Sequence, residues 1–271
     1  MNLLFMLNLS EPDWFDETAL PQDYSEIPAK IKQEGFYCLD GVVKDSFLTY
    51  LQENVNNLID IYGRRYFSIV NPHKRLESQD GLGLPYSHII ENDEFNSLLK
   101  KLSTDFSISN KTNSERFNIL RVVTGEKTDD QSLKFHYDST LITALIPIQI
   151  PDGMDYESGH LVVLPNARKI RSSVLFNILE KFLIQNKFSQ KVLPHLFLKS
   201  KKKKVLNLKP GNIYLFSGLQ TLHSNFAVNK NYVRATLLCF FGNPYPDSKI
   251  LNWVKARRHN QEDKNIGADK S

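Results

Sequence analysis

Seven histidines are the side chains of this sequence best suited to bind a transition metal, and one of them precedes an aspartate by two positions. In an extended segment, residues i and i+2 project on the same side. His136 and Asp138 can therefore present an imidazole nitrogen and a carboxylate oxygen to one ion. The pair alone is a weak signal, because about one His-x-acid match is expected by chance in a chain of this composition.

A second informative segment follows later in the chain. His223 stands at the head of a segment after a turn, and Arg234 comes eleven residues later, inside the apolar run 232–241. A guanidinium in such a run is costly to bury unless it meets an anion, and its planar fork suits two-point binding of a carboxylate. By strand alternation Thr236 shares the face of Arg234 and offers a hydroxyl beside it.

The composition restricts the kind of protein. A chain of 271 residues with 41% hydrophobic and 24% charged residues excludes a disordered segment or a fibre and favours one domain with elaborations. The two cysteines, Cys38 and Cys239, exclude a disulfide scaffold and a four-cysteine zinc site, and they suit a reducing compartment. Any transition-metal site must then be built from histidines and carboxylates.

Charge and hydropathy predict a cytoplasmic protein that does not enter the membrane and does not bind nucleic acid. The net charge is only +4, and the lysine run 201–204 is typical of a solvated loop. The apolar first residues lack the basic start of a secretory signal and soon meet Glu11 and Asp13. No window approaches the roughly 18–20 apolar residues that span a bilayer.

The elements that must position these residues divide into a helix-rich first part and a strand-rich second part. One helix is predicted at 25–33 and ends before Gly35; a second begins at Asp45 or Ser46, and a third lies around 95–102. The stretches around 71–73 and 81–85 are predicted to be loops. Short strands are predicted at 35–43, 117–123, 133–137, 141–150, 161–164, 205–208, 213–216 and 232–241. An apolar stripe predicts one helix between Arg171 and Lys187. We therefore expect an α+β, mainly β fold, a sandwich or barrel of antiparallel strands.

The combination of His136-x-Asp138, His223 and Arg234-x-Thr236 on a run of short strands resembles the Fe(II)/2-oxoglutarate-dependent oxygenases. The resemblance covers residues 117–242 and includes the segment Gly159-His-Leu-Val-Val-Leu-Pro165. The opening Gly35-Phe-x-x-Leu-Asp-Gly41, set between two helices, is similar to the phytanoyl-CoA dioxygenase-like branch. The resemblance implies a double-stranded β-helix, or jelly roll, with supporting N-terminal helices and a helical insert.

The same resemblance implies a specific chemistry. His136, Asp138 and His223 would be the iron ligands, and Arg234 with Thr236 would hold the distal carboxylate of 2-oxoglutarate. Two histidines and one carboxylate leave open metal positions for the cosubstrate and for O2. The implied reaction oxidises an unactivated C–H bond of a small-molecule substrate and releases succinate and CO2. Hydroxylation is the default, with desaturation or oxidative cyclisation as other outcomes. Asp138 argues against halogenation, because the family's halogenases have a small residue there.

The chain is expected to form a single catalytic domain over residues 1–271. Residues 1–116 would support a jelly-roll core at 117–242, and residues 154–204 would be an insert that covers the site. Residues 243–271 would form a polar C-terminal tail. The identity of the substrate, free or carrier-bound, and the oligomeric state stay open.

Several other polar residues allow more than one interpretation. Arg121, in the strand 117–123, either reaches solvent from an edge strand or binds an anionic group of substrate or cosubstrate. Asn118 has the opposite parity in this strand, so only one of the two residues can face the interior of the barrel. Tyr137 should point away from the metal, and a structural role suits His160. Tyr86 would belong to a lid or pack on the barrel. The remaining histidines are interpreted as solvated: His73, His88, His195 and His259.

Two alternatives come from other classes of protein. A cupin-like metalloenzyme without 2-oxoglutarate would need His136, Asp138 and His223 but would leave Arg234 unexplained. A non-catalytic jelly-roll binding module would use the same polar residues to line a carbohydrate or peptide site.

Overall fold

A computed structural model of the chain describes residues 13–79, 81–107, 115–126, 132–152, 157–169, 179–180, 183–184, 186–246 and 248. After a short 3-10 turn at Glu17–Ala19, its helices are α1 (Glu26–Glu34), α2 (Asp45–Tyr62), α3 (Pro72–Arg75), α4 (Leu84–Ile90), α5 (Asp93–Asp105) and α6 (Lys187–Lys199). Its strands are β1 (Phe36–Leu39), β2 (Phe67–Val70), β3 (Arg116–Thr124), β4 (Ile142–Gln149), β5 (Leu161–Leu164), β6 (Lys204–Leu206), β7 (Ile213–Phe216), β8 (Leu222–Asn225) and β9 (Val233–Phe241).

The strands form two antiparallel sheets. The larger sheet has six strands in the order β1-β7-β4-β9-β3-β2, and the smaller has three in the order β6-β5-β8. Every pairing between named strands is antiparallel. The expected α+β fold with mainly antiparallel strands is therefore confirmed.

Side-chain alternation gives the six-stranded sheet two buried faces. On β3, Leu120 belongs to a core shared with the helices, whereas Ile119 belongs to a second core between the two sheets. On β9, Leu237 and Leu238 divide in the same way. Leu161 of the smaller sheet completes the inner core. Odd-numbered residues of β3 and even-numbered residues of β9 therefore point into the space between the sheets.

The N-terminal helices cover the outer face of the six-stranded sheet. The apolar stripes of α2 and α5 are buried in one core with that face; their central members are Phe47, Leu51, Val55, Leu58, Phe95, Leu99 and Leu102. Helix α1 ends at Gly35, as predicted, where a backbone φ of +86° favours glycine. A Cβ at Gly35 would lie 2.4 Å from the Cβ of Pro165, so the helix end packs closely against the chain that follows β5.

Some predictions of local structure are wrong. The stretches around 71–73 and 81–85 are not loops throughout, because α3 and α4 begin there with a proline in their first turn, a position that suits its fixed φ. The predicted strand 133–137 is reduced to one bridge between His136 and His223, after a residue with positive φ at Leu133. Strands β2 and β8 were not predicted.

The segment between β5 and β6 contains helix α6, and the described residues of the helix that the apolar stripe predicted, 179–180 and 183–184, are helical as well. Helix α6 begins at Lys187, where the predicted helix was expected to end. Most of the predicted helix lies outside the described residues. Two of its apolar residues are described, Leu179 and Leu183, and they are 53% and 55% exposed. Within the described ranges no helix is long and apolar enough to cross a membrane.

Candidate metal centre and anion site

Side chains from two segments that are far apart in the sequence, one with His136 and Asp138 and one with His223, meet between the two sheets. One ligand atom each from His136, Asp138 and His223 lies within 4.8 Å of the other two. Oδ1 of Asp138 is 3.9 Å from Nε2 of His136 and 3.6 Å from Nε2 of His223. One carboxylate oxygen and two imidazole nitrogens therefore face a common point.

The two histidines are fixed by their own backbones. The amide of His136 donates to the carbonyl of His223 at 3.0 Å, and the amide of His223 donates back at 3.1 Å. This reciprocal pair attaches the segment around His136 to the outer edge of β8. The ring centroids lie 4.4 Å apart as a result.

Hydrogen bonds to backbone carbonyls set the tautomer of both imidazoles. Nδ1 of His136 lies 2.8 Å from the carbonyl oxygen of Lys134, and Nδ1 of His223 lies 3.0 Å from that of Thr221. Because a carbonyl oxygen only accepts, each Nδ1 carries the proton and each Nε2 offers a lone pair. Burial is the main cause that holds the pKa of His136 well below its usual range, which keeps this imidazole neutral.

The carboxylate is fixed through its second oxygen. Thr143 of β4 donates from Oγ1 to Oδ2 of Asp138 at 2.6 Å, and the amide of Asp138 donates to the carbonyl of Gly218 at 3.0 Å. A Cβ at Gly218 would lie 2.4 Å from Oδ2 of Asp138, so only glycine allows this close approach. Oδ1 is left facing the two imidazoles.

This donor set fits a divalent transition metal. Two neutral imidazoles and one carboxylate on one side of an ion are the ligands of non-haem ferrous sites with open positions. The carbonyl bonds to Nδ1 and the hydroxyl bond to Asp138 are the supporting contacts that such ligands need.

A buried guanidinium lies beside this centre. Arg234 is 1% exposed and points into the space between the sheets. Its Nε donates to the carbonyl of Gly159 at 2.7 Å, Nη2 donates to Oδ1 of Asn225 at 3.2 Å, and Nη1 lies 3.5 Å from Oγ1 of Thr236. All three partners are neutral, and no described carboxylate forms an ion pair with it.

The environment of Arg234 is that of an anion site. Burial, and next the nearby Arg121, lower the pKa of Arg234 to about 9, which still leaves it charged at neutral pH. Gly159 has a φ of +67°, and a Cβ there would lie 2.3 Å from Cδ of Arg234. Because Gly159 has no side chain, the side chain of Arg234 can pack directly against its backbone.

The strand β8 links the anion site to the metal centre. Asn225, which binds Nη2 of Arg234, lies two residues after His223 and on the same face of β8. Two residues of a strand span about 6.6 Å. A five-carbon dicarboxylate is of comparable length, so one molecule can reach both the metal centre and Arg234.

The remaining predicted residues divide between the inner and outer faces. Arg121 has the parity of Ile119, points between the sheets and is half-buried, and its strand β3 is not the edge strand that one interpretation assumed. Tyr137 packs in a different core on the outer side of the smaller sheet, with the guanidinium of Arg168 4.0 Å from its ring centroid. Nδ1 of His160 accepts from the amide of Leu208 at 3.1 Å, which agrees with a structural role.

The other histidines and Tyr86 are only partly as predicted. His73 is 7% exposed, so its assignment as a solvated residue is wrong: it is buried within α3. His88 is half-buried against the ring of Phe47, whereas His195 is exposed on α6. His259 lies outside the described residues. Tyr86 is fully buried and donates to Oδ1 of Asn54 at 2.8 Å, so it belongs to the helical core and not to a lid.

Sequence reasoning missed two residues of the site. Thr143 is a polar residue inside the otherwise apolar run of β4, and that interruption was an available signal. Asn225 follows His223 by two positions, the same spacing that singled out Asp138. Neither signal alone reveals the bonded partner, because Thr143 and Asp138, and likewise Asn225 and Arg234, belong to different segments that are joined by a turn.

Comparison with known proteins finds likeness at the level of structure. No family model and no curated protein matches the sequence. A solved structure described as prolyl 4-hydroxylases from Phytophthora capsici is 12% identical, with 89% of this chain and 72% of that chain covered and a TM-score of 0.55. EvdO2 from Micromonospora carbonacea var. aurantiaca, complexed with 2-oxoglutarate, is 14% identical, with 85% and 94% covered and a TM-score of 0.52.

A third structure agrees. The non-heme alpha ketoglutarate dependent carbocyclase SnoK from nogalamycin biosynthesis is 11% identical, with 90% of this chain and 93% of that chain covered and a TM-score of 0.50. At such identities the likeness establishes a shared fold. This fold is the one that the resemblance implied, since one of these structures is described as alpha ketoglutarate dependent and another is complexed with 2-oxoglutarate.

Proposed function

We propose that this protein is a non-haem Fe(II)/2-oxoglutarate-dependent oxygenase that oxidises a C–H bond of a small molecule. The observation that carries the proposal is the combination of two sites in one cavity. The triad of His136, Asp138 and His223 is a metal-binding set, and Arg234 is a buried cation without a described counter-ion. A metal and a dicarboxylate together satisfy both.

In this proposal each residue has a defined task. Nε2 of His136, Nε2 of His223 and Oδ1 of Asp138 hold the ferrous ion, and Thr143 keeps the carboxylate oriented. Arg234 binds the distal carboxylate of 2-oxoglutarate through its terminal nitrogens, while its Nε stays on Gly159. Fe(II) and 2-oxoglutarate, when bound, supply the oxidation of the substrate C–H bond by O2 with release of succinate and CO2.

Thr236 has a supporting task. Its hydroxyl is next to Nη1 of Arg234 and can donate to the same carboxylate that the guanidinium binds. The apolar inner core, including Phe216 against the ring of His223 and Leu238 on β9, excludes water from this side of the cavity.

We further propose that the two sheets are the halves of a double-stranded β-helix within one catalytic domain. The two sheets enclose the inner core, and the N-terminal helices share a separate core with the outer face of the larger sheet. In this proposal, residues 154–204 form an insert beside the open end of the β-helix, where loops select ligands in such folds. A cytoplasmic location, suggested by two free cysteines, stays a prediction.

The reaction outcome is hydroxylation by default, with desaturation or oxidative cyclisation using the same oxidant. The neighbours include prolyl hydroxylases and a carbocyclase, so this fold accommodates different outcomes. A cupin-like metalloenzyme without 2-oxoglutarate and a non-catalytic binding module are both less suitable. The cupin-like alternative does not account for a buried guanidinium whose described partners are all neutral, and the binding module does not require a metal-binding triad beside it.

The test is turnover of 2-oxoglutarate in the absence of the true substrate. Purified protein with Fe(II) and O2 should release succinate slowly, and omission of Fe(II) or addition of a chelator should abolish the release. A metal-binding protein that leaves 2-oxoglutarate intact and does not bind it would favour the cupin-like alternative. A protein that binds neither metal nor 2-oxoglutarate would favour the binding module.

A further inference from the structure

A second arginine faces the proposed active site. Arg121 of β3 lies directly opposite Thr236 of β9 and has the inward parity of Ile119. Arg234 is two residues from Thr236 on the same face. Diagonal neighbours of this kind are about 7–8 Å apart between their backbones. The two guanidiniums therefore enter the same cavity from adjacent strands.

Arg121 has no counter-ion within the described part of the chain. Its Nε is buried without a hydrogen-bond partner, and its terminal nitrogens make no hydrogen bond or ion pair with a described residue. The side chain as a whole is half-buried, but a buried N–H without a partner is costly, and such groups are normally hydrogen-bonded. The unpaired Nε of Arg121 does not stabilise the fold, and a role in binding a ligand explains it better.

The charges of the cavity show why 2-oxoglutarate alone does not satisfy both arginines. The ferrous ion, Arg121 and Arg234 are cationic, whereas Asp138 supplies one negative charge and 2-oxoglutarate two. One positive charge is left over. With the distal carboxylate on Arg234 and the other carboxylate at the metal, Arg121 stays without a partner.

We propose that Arg121 binds an oxyanion of the substrate, so that the oxidised compound carries a carboxylate, phosphate or sulfate. The proposal rests on the proposed oxygenase function and specifies the class of its substrate. Arg121 is close enough to influence both His136 and Arg234 electrostatically. An anion held there would lie beside both the metal and the cosubstrate.

The position of Arg121 in the sheet suits a substrate group. Strand β3 lies between β9, which carries Arg234, and the edge strand β2. The neighbour of Arg121 on β2 is Ser68, whose small side chain leaves space on the inner face. The cosubstrate anchor thus lies deeper in the sheet, and the second cation lies nearer its edge.

The experiment uses the full chain with Fe(II) and saturating 2-oxoglutarate, without oxygen. Acetate and inorganic phosphate are titrated in, with acetamide as the neutral counterpart of acetate, and binding is read by calorimetry and by the unfolding temperature. At least one anion should bind saturably without displacing 2-oxoglutarate, and acetamide should not. Arg121→Gln should weaken that anion by about tenfold to a hundredfold, the value of a charged hydrogen bond.

Two controls separate this site from its neighbours. Arg75→Gln removes an exposed arginine of α3 and should leave anion affinity unchanged. Affinity for 2-oxoglutarate should be nearly the same in Arg121→Gln and in the wild type. If Arg121→Gln does not fold, Arg121→Lys replaces it, and the lysine should bind the anion more weakly because an ammonium lacks the two-point fork.

The opposite outcomes are equally defined. Absence of saturable anion binding in the wild type, or equal binding in the Arg121 variant, overturns the proposal. A variant that loses 2-oxoglutarate itself assigns Arg121 to the cosubstrate and also overturns it. If the wild type binds neither Fe(II) nor 2-oxoglutarate, the proposed function fails. The same anion titrations on the unloaded protein then still decide whether Arg121 is an anion site.

Discussion

The hydroxyl of Thr143 donates to Oδ2 of Asp138 at 2.6 Å, and the opposite oxygen of the same carboxylate faces both histidines. Thr143 belongs to β4 of the larger sheet, whereas Asp138 follows the segment that pairs with β8 of the smaller one. The metal centre is therefore held from both sheets.

Replacing Thr143 should weaken metal binding although this residue is not a ligand. Thr143→Val keeps the shape but removes the donor, and loss of such a supporting contact costs about tenfold to a hundredfold in metal affinity. Thr143→Ser keeps the donor and should restore most of the affinity. Titration with Mn(II) or Fe(II) measures the effect, and wild-type affinity in the valine variant would exclude this role.

The three proposed ligands should each be required for the metal. His136→Ala and His223→Ala should lose measurable Fe(II) binding, and Asp138→Ala should stop succinate release. His195→Ala is the matched control, since that histidine is exposed on α6. Full metal affinity in either ligand-histidine variant would refute its assignment.

Arg234 should determine affinity for 2-oxoglutarate and not for the metal. Arg234→Ala should weaken 2-oxoglutarate binding by about 2–5 kcal/mol, because it leaves a carboxylate in the cavity without its cation. Arg75→Gln serves as the surface control. Calorimetry of the metal-loaded protein gives the affinity, and an unchanged value would show that the dicarboxylate binds elsewhere.

Affinity for 2-oxoglutarate should fall at high pH. Burial lowers the pKa of Arg234 to about 9 from 12.5, and only the protonated guanidinium binds a carboxylate. Binding should therefore weaken above pH 9 and take up a proton there. In the ligand-free protein, the unfolded state binds more protons than the folded state between these two pKa values. The contribution of this group to the free energy of unfolding thus rises with pH across that window.

The pH dependence is checked by titrations at several pH values in parallel with Arg234→Lys. A lysine keeps a cation with a different pKa, so the pH at which affinity is lost should move. A profile that is the same in both proteins would assign the loss to another group.

Gly159→Ala should disturb the cosubstrate site more than its backbone strain explains. A Cβ there would meet Cδ of Arg234 at 2.3 Å. Gly41→Ala is a matched control, because Gly41 has a similar φ of +64° and nothing lies within 4 Å of its Cβ position. Only Gly159→Ala should lose affinity for 2-oxoglutarate, and equal behaviour of the two variants would contradict the contact.

The sequence predicted the site better than its surroundings. His136 and Asp138 do lie together as their spacing predicted, although only His136 makes a strand bridge, and Arg234 is conspicuous because a charge in an apolar strand needs a partner. The apolar residues of α2 likewise recur at helical spacing, and this periodicity predicted the helix. These features depend on neighbours in the chain.

Features that depend on distant contacts were not predictable in the same way. His73 reads as a loop residue, but packing of α3 against the rest of the chain buries it. The bond from Thr143 to Asp138 and the bond from Arg234 to Asn225 are closer in the sequence, but each one crosses a turn between two segments, and strand alternation does not predict such a bond. The side of the sheet to which Arg121 points became clear only from the register with Thr236.

The two reciprocal backbone bonds between His136 and His223 involve amides and carbonyls, and they do not depend on any ion. The backbone thus fixes the two imidazoles relative to each other, and we expect little further ordering of these two residues when a metal binds. Such a centre should survive stripping by a chelator and accept fresh iron afterwards without refolding, which makes the empty protein a practical starting material for exchange with spectroscopically silent or visible metals.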